Sequence, residues 1–285
     1  MNAATARRPM SIAARRSALP GFRLSLGVTL TWLSLIVLIP LVALALRPWS
    51  LGLTGVWHAV SEPRVLAALR LSFGAAGLAA LLNVPLGLLI AWVMVRYRFP
   101  GRNLADALID MPLALPTAVA GIALTALFAR NGWIGALLTP LGIKVAYTPA
   151  GVLLAMLFVG LPFVVRTLEP VLMTLPREAE EAAATLGASR VQTVWRVVIP
   201  ALIPALLASF AAALARGVGE YGSVIFIAGN MPMVSEIAPL LIVIRLEQLD
   251  YAGASALALV MLSFSFALLF VLNGLQARIA RQSAA

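Results

Sequence analysis

The chain contains no cysteine and only one histidine, His58, among its 285 residues. These absences exclude a disulfide framework, a thiol nucleophile and a His/Cys metal cluster. Charge is scarce as well: 11% of residues are Asp, Glu, Lys or Arg, against 62% that are hydrophobic. No G-x-x-x-x-G-K-[ST] phosphate loop is present, so any ATP hydrolysis must be supplied by another chain. There is no internal repeat and no low-complexity tract. Catalytic groups are too few for an integral membrane enzyme, and no cofactor or metal is expected.

What the chain does have is apolar sequence in long runs. A hydrocarbon core of about 30 Å needs roughly 20 apolar residues per helix. Six stretches qualify, near residues 24–46, 66–95, 104–129, 148–167, 198–219 and 251–275. The expected fold is all-α: a polytopic protein with six transmembrane helices. The first run follows Arg15 and Arg16 and contains an A-x-A match at Ala43-Leu44-Ala45, but it is too long for a secretory signal and reads as an uncleaved first helix. Prolines 85, 112, 116, 162, 200 and 204 fall within or at the start of these runs, where neighbouring helices must satisfy the freed carbonyls.

The net charge of +10 does not point to nucleic acid, because the basic residues flank apolar spans and form no stripe with aromatics. They read as topology signals. With the amino terminus inside, fourteen basic residues face the cytoplasm and six the other side, with Arg216 inside a span. Trp49, Trp57, Trp133 and Tyr147 then mark the outer interface, Trp92 and Tyr97 the inner one. The expected organisation is a basic tail over 1–22, one transmembrane domain over 23–277 and a short tail over 278–285. Both termini and the loop at about 168–199 are cytoplasmic. Outer loops 47–65 and 130–147 are too short for domains, so substrate capture falls to another protein.

That inner loop carries the strongest local signal. Pro176 suits a first helical position, and Glu178, Glu180 and Glu181 fall in the opening turns, where the helix dipole favours anions. Gly187 suits a left-handed stop, and Ser189-Arg190-Val191-Gln192 fits a capping box. The spacing predicts two short, solvated helices. Glu181-Ala182-Ala183, three residues, Gly187, nine residues, then Val197-Val198-Ile199-Pro200 resembles the E-A-A…G…I-x-L-P loop of bacterial and archaeal ABC-importer permeases. Val197 stands for the pattern's isoleucine and Ile199 for its leucine, both keeping apolar bulk. The resemblance implies that this loop docks into a groove on a separate ATPase subunit. Ala182 and Ala183 would permit close approach, and Glu181 would meet a basic partner residue.

Two further runs extend the likeness. Asp110 to Gly121, DMPLALPTAVAG, is similar to the D-x-P-x-x-L-P-x-x-V-A-G run of sulfate and molybdate importer permeases. Asp106 and Asp110 share a helical face, with Arg102 four residues before Asp106, and like charges at that spacing repel unless neutralised. A carboxylate at a helix centre costs about 2.5–3.5 kcal/mol on insertion scales, so Asp110 needs a partner or a wet cavity. Two roles fit it, a structural pair with arginine or a gate. The second run, Gly219-Glu220-Tyr221-Gly222-Ser223 through Asn230, looks like the G-E-Y-G-S-V-I-F-I-A-G-N run of sulfate/thiosulfate permeases. Its glycines loosen the helix, so Arg216, Gly219, Glu220, Tyr221 and Ser223, with Asp110 and Pro116, form the candidate anion path or gate. The alternative for Arg216 is a simple i,i+4 pair with Glu220. Residues 235–250 read as an amphipathic interfacial helix near an outer gate.

The resemblance implies a permease subunit of a sulfate/thiosulfate ABC importer in a bacterial inner membrane. Expected partners are two ATPase subunits, a second related permease, a periplasmic sulfate/thiosulfate-binding protein and the lipid bilayer. The alternatives are a molybdate or tungstate permease and, from another class, an ion-gradient-driven secondary transporter.

Overall fold

The computed structural model describes residues 21–283, so all but the last two residues of the expected 1–22 tail lie outside it. The described residues are nearly all helical and contain no strand. The chain divides into two compact units, with the boundary between Leu46 and Arg47. The first holds α1 (Phe22–Leu33), a π-helical turn (Ser34–Leu38) and α2 (Ile39–Leu46). Pro40 explains the widened turn: it lacks an N–H, and its ring crowds the carbonyl four residues back, inside the π segment.

The second unit opens with a 3₁₀ turn (Arg47–Leu51) and continues through α3 (Gly52–Ser61), α4 (Pro63–Arg96), α5 (Arg102–Ala114), α6 (Thr117–Phe128) and α7 (Trp133–Leu138). It then runs through α8 (Pro149–Thr174), α9 (Arg177–Thr185), α10 (Arg190–Thr193), α11 (Ile199–Val218), α12 (Gly222–Ala228), α13 (Ala238–Glu247) and α14 (Tyr251–Ser283).

Six helical stretches are long and apolar enough to cross a membrane: Leu24–Ser61, Pro63–Arg96, Thr117–Leu141, Pro149–Thr174, Arg190–Val218 and Tyr251–Ile279. The number agrees with expectation, and several boundaries do not. Most of segment 47–65, read as a loop, is helical. The run at 104–129 is two helices, because Leu115 before Pro116 is extended at φ −79°, ψ 139° and a residue preceding proline is pushed out of the α region. The fourth span continues to Thr174 with Pro170 inside it, so the loop expected from 168 begins later. The sixth span's helix continues to Ser283.

At the centre of the second unit, α4, α8 and α11 pack on one another. They approach closely because α4 buries a file of small residues: Ala75, Ala76, Ala79, Ala80, Gly87 and Ala91. In lipid the hydrophobic effect gives no drive for helices to associate, so close packing and interhelical hydrogen bonds must hold them together. Both are present. A Cβ on Gly87 would meet Val164 of α8 at 2.5 Å, and buried Asn83 donates from Nδ2 to the Leu157 carbonyl at 3.1 Å. Away from this centre α4 exposes Leu78, Leu81, Leu82, Leu86 and Leu89.

Candidate functional site

The helix α9 starts as its sequence suggests, with Glu178 and Glu180 in the first turn; Pro176 occupies the N-cap rather than the first helical position. It ends in a Schellman turn. Gly187 stands at φ +83°, its N–H bonds to the Ala184 carbonyl at 3.0 Å, and the Ala188 N–H bonds to the Ala183 carbonyl at 3.0 Å. Ser189 then caps α10. Its hydroxyl accepts from the Gln192 N–H at 3.3 Å while the Gln192 side chain accepts from the Ser189 N–H at 2.9 Å, a complete capping box.

The second helix is not a short separate element, however. From α10 the chain passes through a π turn (Val194–Val198) straight into α11, so one helical rod leads from the loop into the fifth span. Pro200 demands the π turn, as Pro40 does earlier in the chain, because its ring opposes the carbonyl of Arg196 within it. Val197 and Ile199 are half-buried at this joint and Pro200 is exposed.

Glu181, Ala182 and Gly187 are exposed and Ala183 is half-buried. Glu181 makes no ion pair with any described side chain. Leu186 is 88% exposed and Val191 67%, so the turn presents apolar side chains beside an unpaired carboxylate. Glu180, one residue earlier, does the opposite and turns inward, meeting Arg96 at the end of α4 at 2.5 Å.

The other two motif runs come together in space. The break at Leu115-Pro116 and the break at Gly219-Glu220-Tyr221 are adjacent, since α6 packs on α12 so closely that a Cβ on Gly121 would overlap the Ser223 backbone and one on Gly222 would overlap Thr117. Glu220 is 1% exposed and ties this junction together. It meets Arg216 at 2.5 Å and accepts from the Ser223 N–H and hydroxyl at 2.9 and 2.8 Å. The Arg216–Glu220 pair therefore forms, and the carboxylate also satisfies the first turn of α12. Pro116 and Gly219 are exposed, and Arg216 and Tyr221 half-buried, around the break.

Asp110 has an arginine partner, but not the nearby Arg102. Arg166 of α8 holds Asp110 bidentately at 2.8 and 2.6 Å, reaches Asp106 at 2.9 Å and Glu169 at 2.6 Å. One guanidinium thus neutralises part of a three-carboxylate cluster. In the sequence Arg166 reads only as a topology signal. The requirement that Asp110 find a partner was the available clue, but it did not say which helix would provide one.

Ion pairs at the opposite end of the bundle were also missed. Arg64 at the start of α4 grips Glu236 bidentately at 2.8 and 2.7 Å, and Arg245 meets Glu62 at 2.7 Å. Ser72 accepts from the Ala238 N–H at 2.8 Å, so α4 caps α13. Of the residues 235–250, the helix α13 covers Ala238–Glu247 and buries Ala238, Leu240, Leu241 and Arg245 against the bundle.

Comparison with known proteins agrees with this architecture. Residues 83–283 match the model of the family described as binding-protein-dependent transport system inner membrane component. The chain is 49% identical over 273 residues to the sulfate transport system permease protein CysT of Salmonella typhimurium, covering 96% of this chain and 98% of that one. It is 51% identical over 256 residues to the protein of the same name from Synechococcus elongatus, covering 89% and 92%. Among solved structures, a bacterial alginate ABC transporter in complex with an alginate-pentasaccharide-bound periplasmic protein shares the fold with a TM-score of 0.74 at 16% identity, covering 90% of this chain and 94% of that one. A multi-pass chain with these motifs, this arrangement of broken helices and these relatives belongs to the family of binding-protein-dependent transport system inner membrane components.

Proposed function

We propose that the chain is a permease subunit of a sulfate importer, forming part of the anion's path and taking its energy from separate ATPase subunits. The observation that carries this reading is the loop from α9 to α10. It pairs an exposed Glu181, which makes no ion pair with any described side chain, and small Ala182 with a Schellman turn, and it continues without a break into a membrane-spanning helix. A partner that presses on this surface acts on α11 directly. The choice of sulfate rests on the names of relatives that match nearly the whole chain.

The partners that fit are two ATPase subunits below the loop, a second related permease beside this one and an extracytoplasmic sulfate-binding protein. Both termini are then cytoplasmic. In the cycle we propose, the loaded binding protein docks outside, ATP closes the ATPase dimer, the loop is displaced, and the bundle alternates its access. The anion passes near the paired breaks at Leu115-Pro116 and Gly219-Tyr221, where non-helical backbone at membrane depth is tolerated because it lines a cavity or packs on protein. Arg216 contributes field there rather than a free charge, because Glu220 holds it.

The test is ATP hydrolysis in liposomes holding this chain with its second permease, ATPase and binding protein. Sulfate should stimulate hydrolysis and molybdate should not. Stimulation by molybdate alone would overturn the substrate, and stimulation by neither, with assembly confirmed, would overturn the importer reading.

A further inference from the structure

Both ends of α4 are tied by ion pairs to elements that the chain reaches much later. At the inner end Arg96 meets Glu180 of α9 at 2.5 Å and lies over the Trp92 ring at 5.2 Å. At the outer end Arg64 grips Glu236 with two hydrogen bonds, and Ser72 receives the first N–H of α13. The two arginines stand roughly 48 Å apart along the helix at a rise of about 1.5 Å per residue, the full thickness of a bilayer. Between them α4 is one uninterrupted helix, with Pro85 inside it.

The inner end also borders the other half of the loop. Trp92, Leu88 and Leu89 of α4 face Trp195, Val194 and Val198 of the π turn across an apolar groove of about 450 Å³. The two halves of the loop thus flank the same end of α4, one through charge and the other across this apolar groove. The Arg96 Nε–H is buried without a hydrogen-bond partner among the described residues.

We infer that α4 is a strut that carries the loop's displacement to the outer segment at 236–247, with Arg96–Glu180 and Arg64–Glu236 as its two joints. This rests on the proposal that a partner ATPase drives the loop. Glu181 makes the contact with the partner, Glu180 passes the motion inward, and α13 moves with the outer end of α4. Arg96, Glu180, Arg64 and Glu236 are positioning residues that touch neither anion nor ATP.

The test uses the assembled transporter in liposomes and reads radiolabelled sulfate taken up per ATP hydrolysed. R96E should lower that ratio by about tenfold while hydrolysis continues, a size typical of site-to-site coupling, and R96E/E180R should restore it. R64E and R64E/E236R should behave in the same way at the other end. An unchanged ratio in R96E, or a swap that fails to restore it, overturns the strut. If the charge variants do not assemble, R96C/E180C decides the matter, because the parent chain has no cysteine. A joint that moves as one body tolerates a short cross-link and keeps transporting, whereas a cross-link that stops uptake shows that the two residues part during the cycle and overturns the proposal. E181R separates this from the underlying reading. If E181R uncouples and R96E does not, only the strut fails; if the parent shows no sulfate-dependent hydrolysis, the importer reading fails with it.

Discussion

Single glycines decide how closely the paired breaks can approach. Gly121 and Gly222 have no room for a methyl group, whereas Gly77, in the middle of α4, has nothing within 4 Å of where its Cβ would stand. Gly121→Ala should therefore destabilise the protein by about 1–3 kcal/mol through overpacking, while Gly77→Ala should stabilise it by roughly 0.5–1 kcal/mol through helix propensity. Thermal midpoints in detergent should move in opposite directions. Arg166 is as decisive for charge. Arg166→Met would leave Asp106, Asp110 and Glu169 facing one another, and we expect a loss of about 1–2 kcal/mol, below the cost for a fully buried ion because Asp110 is 45% exposed. Adding Asp110→Asn should recover part of that loss, and a drop in midpoint no smaller in the double variant would contradict this account.

At the level of elements, proline and glycine set where helices stop, bend or widen. Pro40 and Pro200 are each preceded by a π turn, and Pro116 breaks the third span outright. The α9–α10 turn depends on Gly187, whose φ of +83° would cost another residue about 1–2 kcal/mol, and on the Ser189 cap, worth about 1 kcal/mol. Gly187→Val and Ser189→Ala should both speed hydrogen exchange across residues 184–193. On the proposed function, Gly187→Val should also reduce sulfate uptake, because it deforms the surface proposed to meet the ATPase. Exchange at the parental rate in both variants would show that the turn is held by something else.

Across the molecule, charge distribution orients the bundle in the membrane. The excess of arginine on the α9–α10 side predicts that this loop is cytoplasmic and the segment around α7 outside. Leu186 and Leu141 are both well exposed, at 88% and 71%. In this cysteine-free chain L141C should react with an impermeant maleimide added to intact cells, and L186C only after permeabilisation. The reverse pattern would invert the topology and place the proposed ATPase surface on the wrong side. The same view shows why α4, α8 and α11 form the centre: their small buried residues allow close approach, while the large leucines of α4 lie exposed away from it.

Much of this protein was legible from its residue order. Apolar runs long enough to span a bilayer, with little charge within them, specify six membrane-spanning helical stretches. The local turn chemistry of Glu181 to Pro200 specifies a helix, a glycine stop and a capped restart, because each depends on neighbours within a few residues. Boundaries were less legible: Leu115-Pro116 sits inside an apolar run that reads as one helix, and the helix starting at Arg190 reads as a short separate element until the π turn joins it to α11. Partners at long range were not legible at all. Asp110 signalled that it needed a cation, yet Arg166 lies on α8, and Glu180 and Glu236 find Arg96 and Arg64 only because α4 crosses the bundle and brings its two ends beside them. Hydropathy and turn propensity act along the chain, whereas the pairing of buried charges depends on which helices the packing of small residues has already brought together.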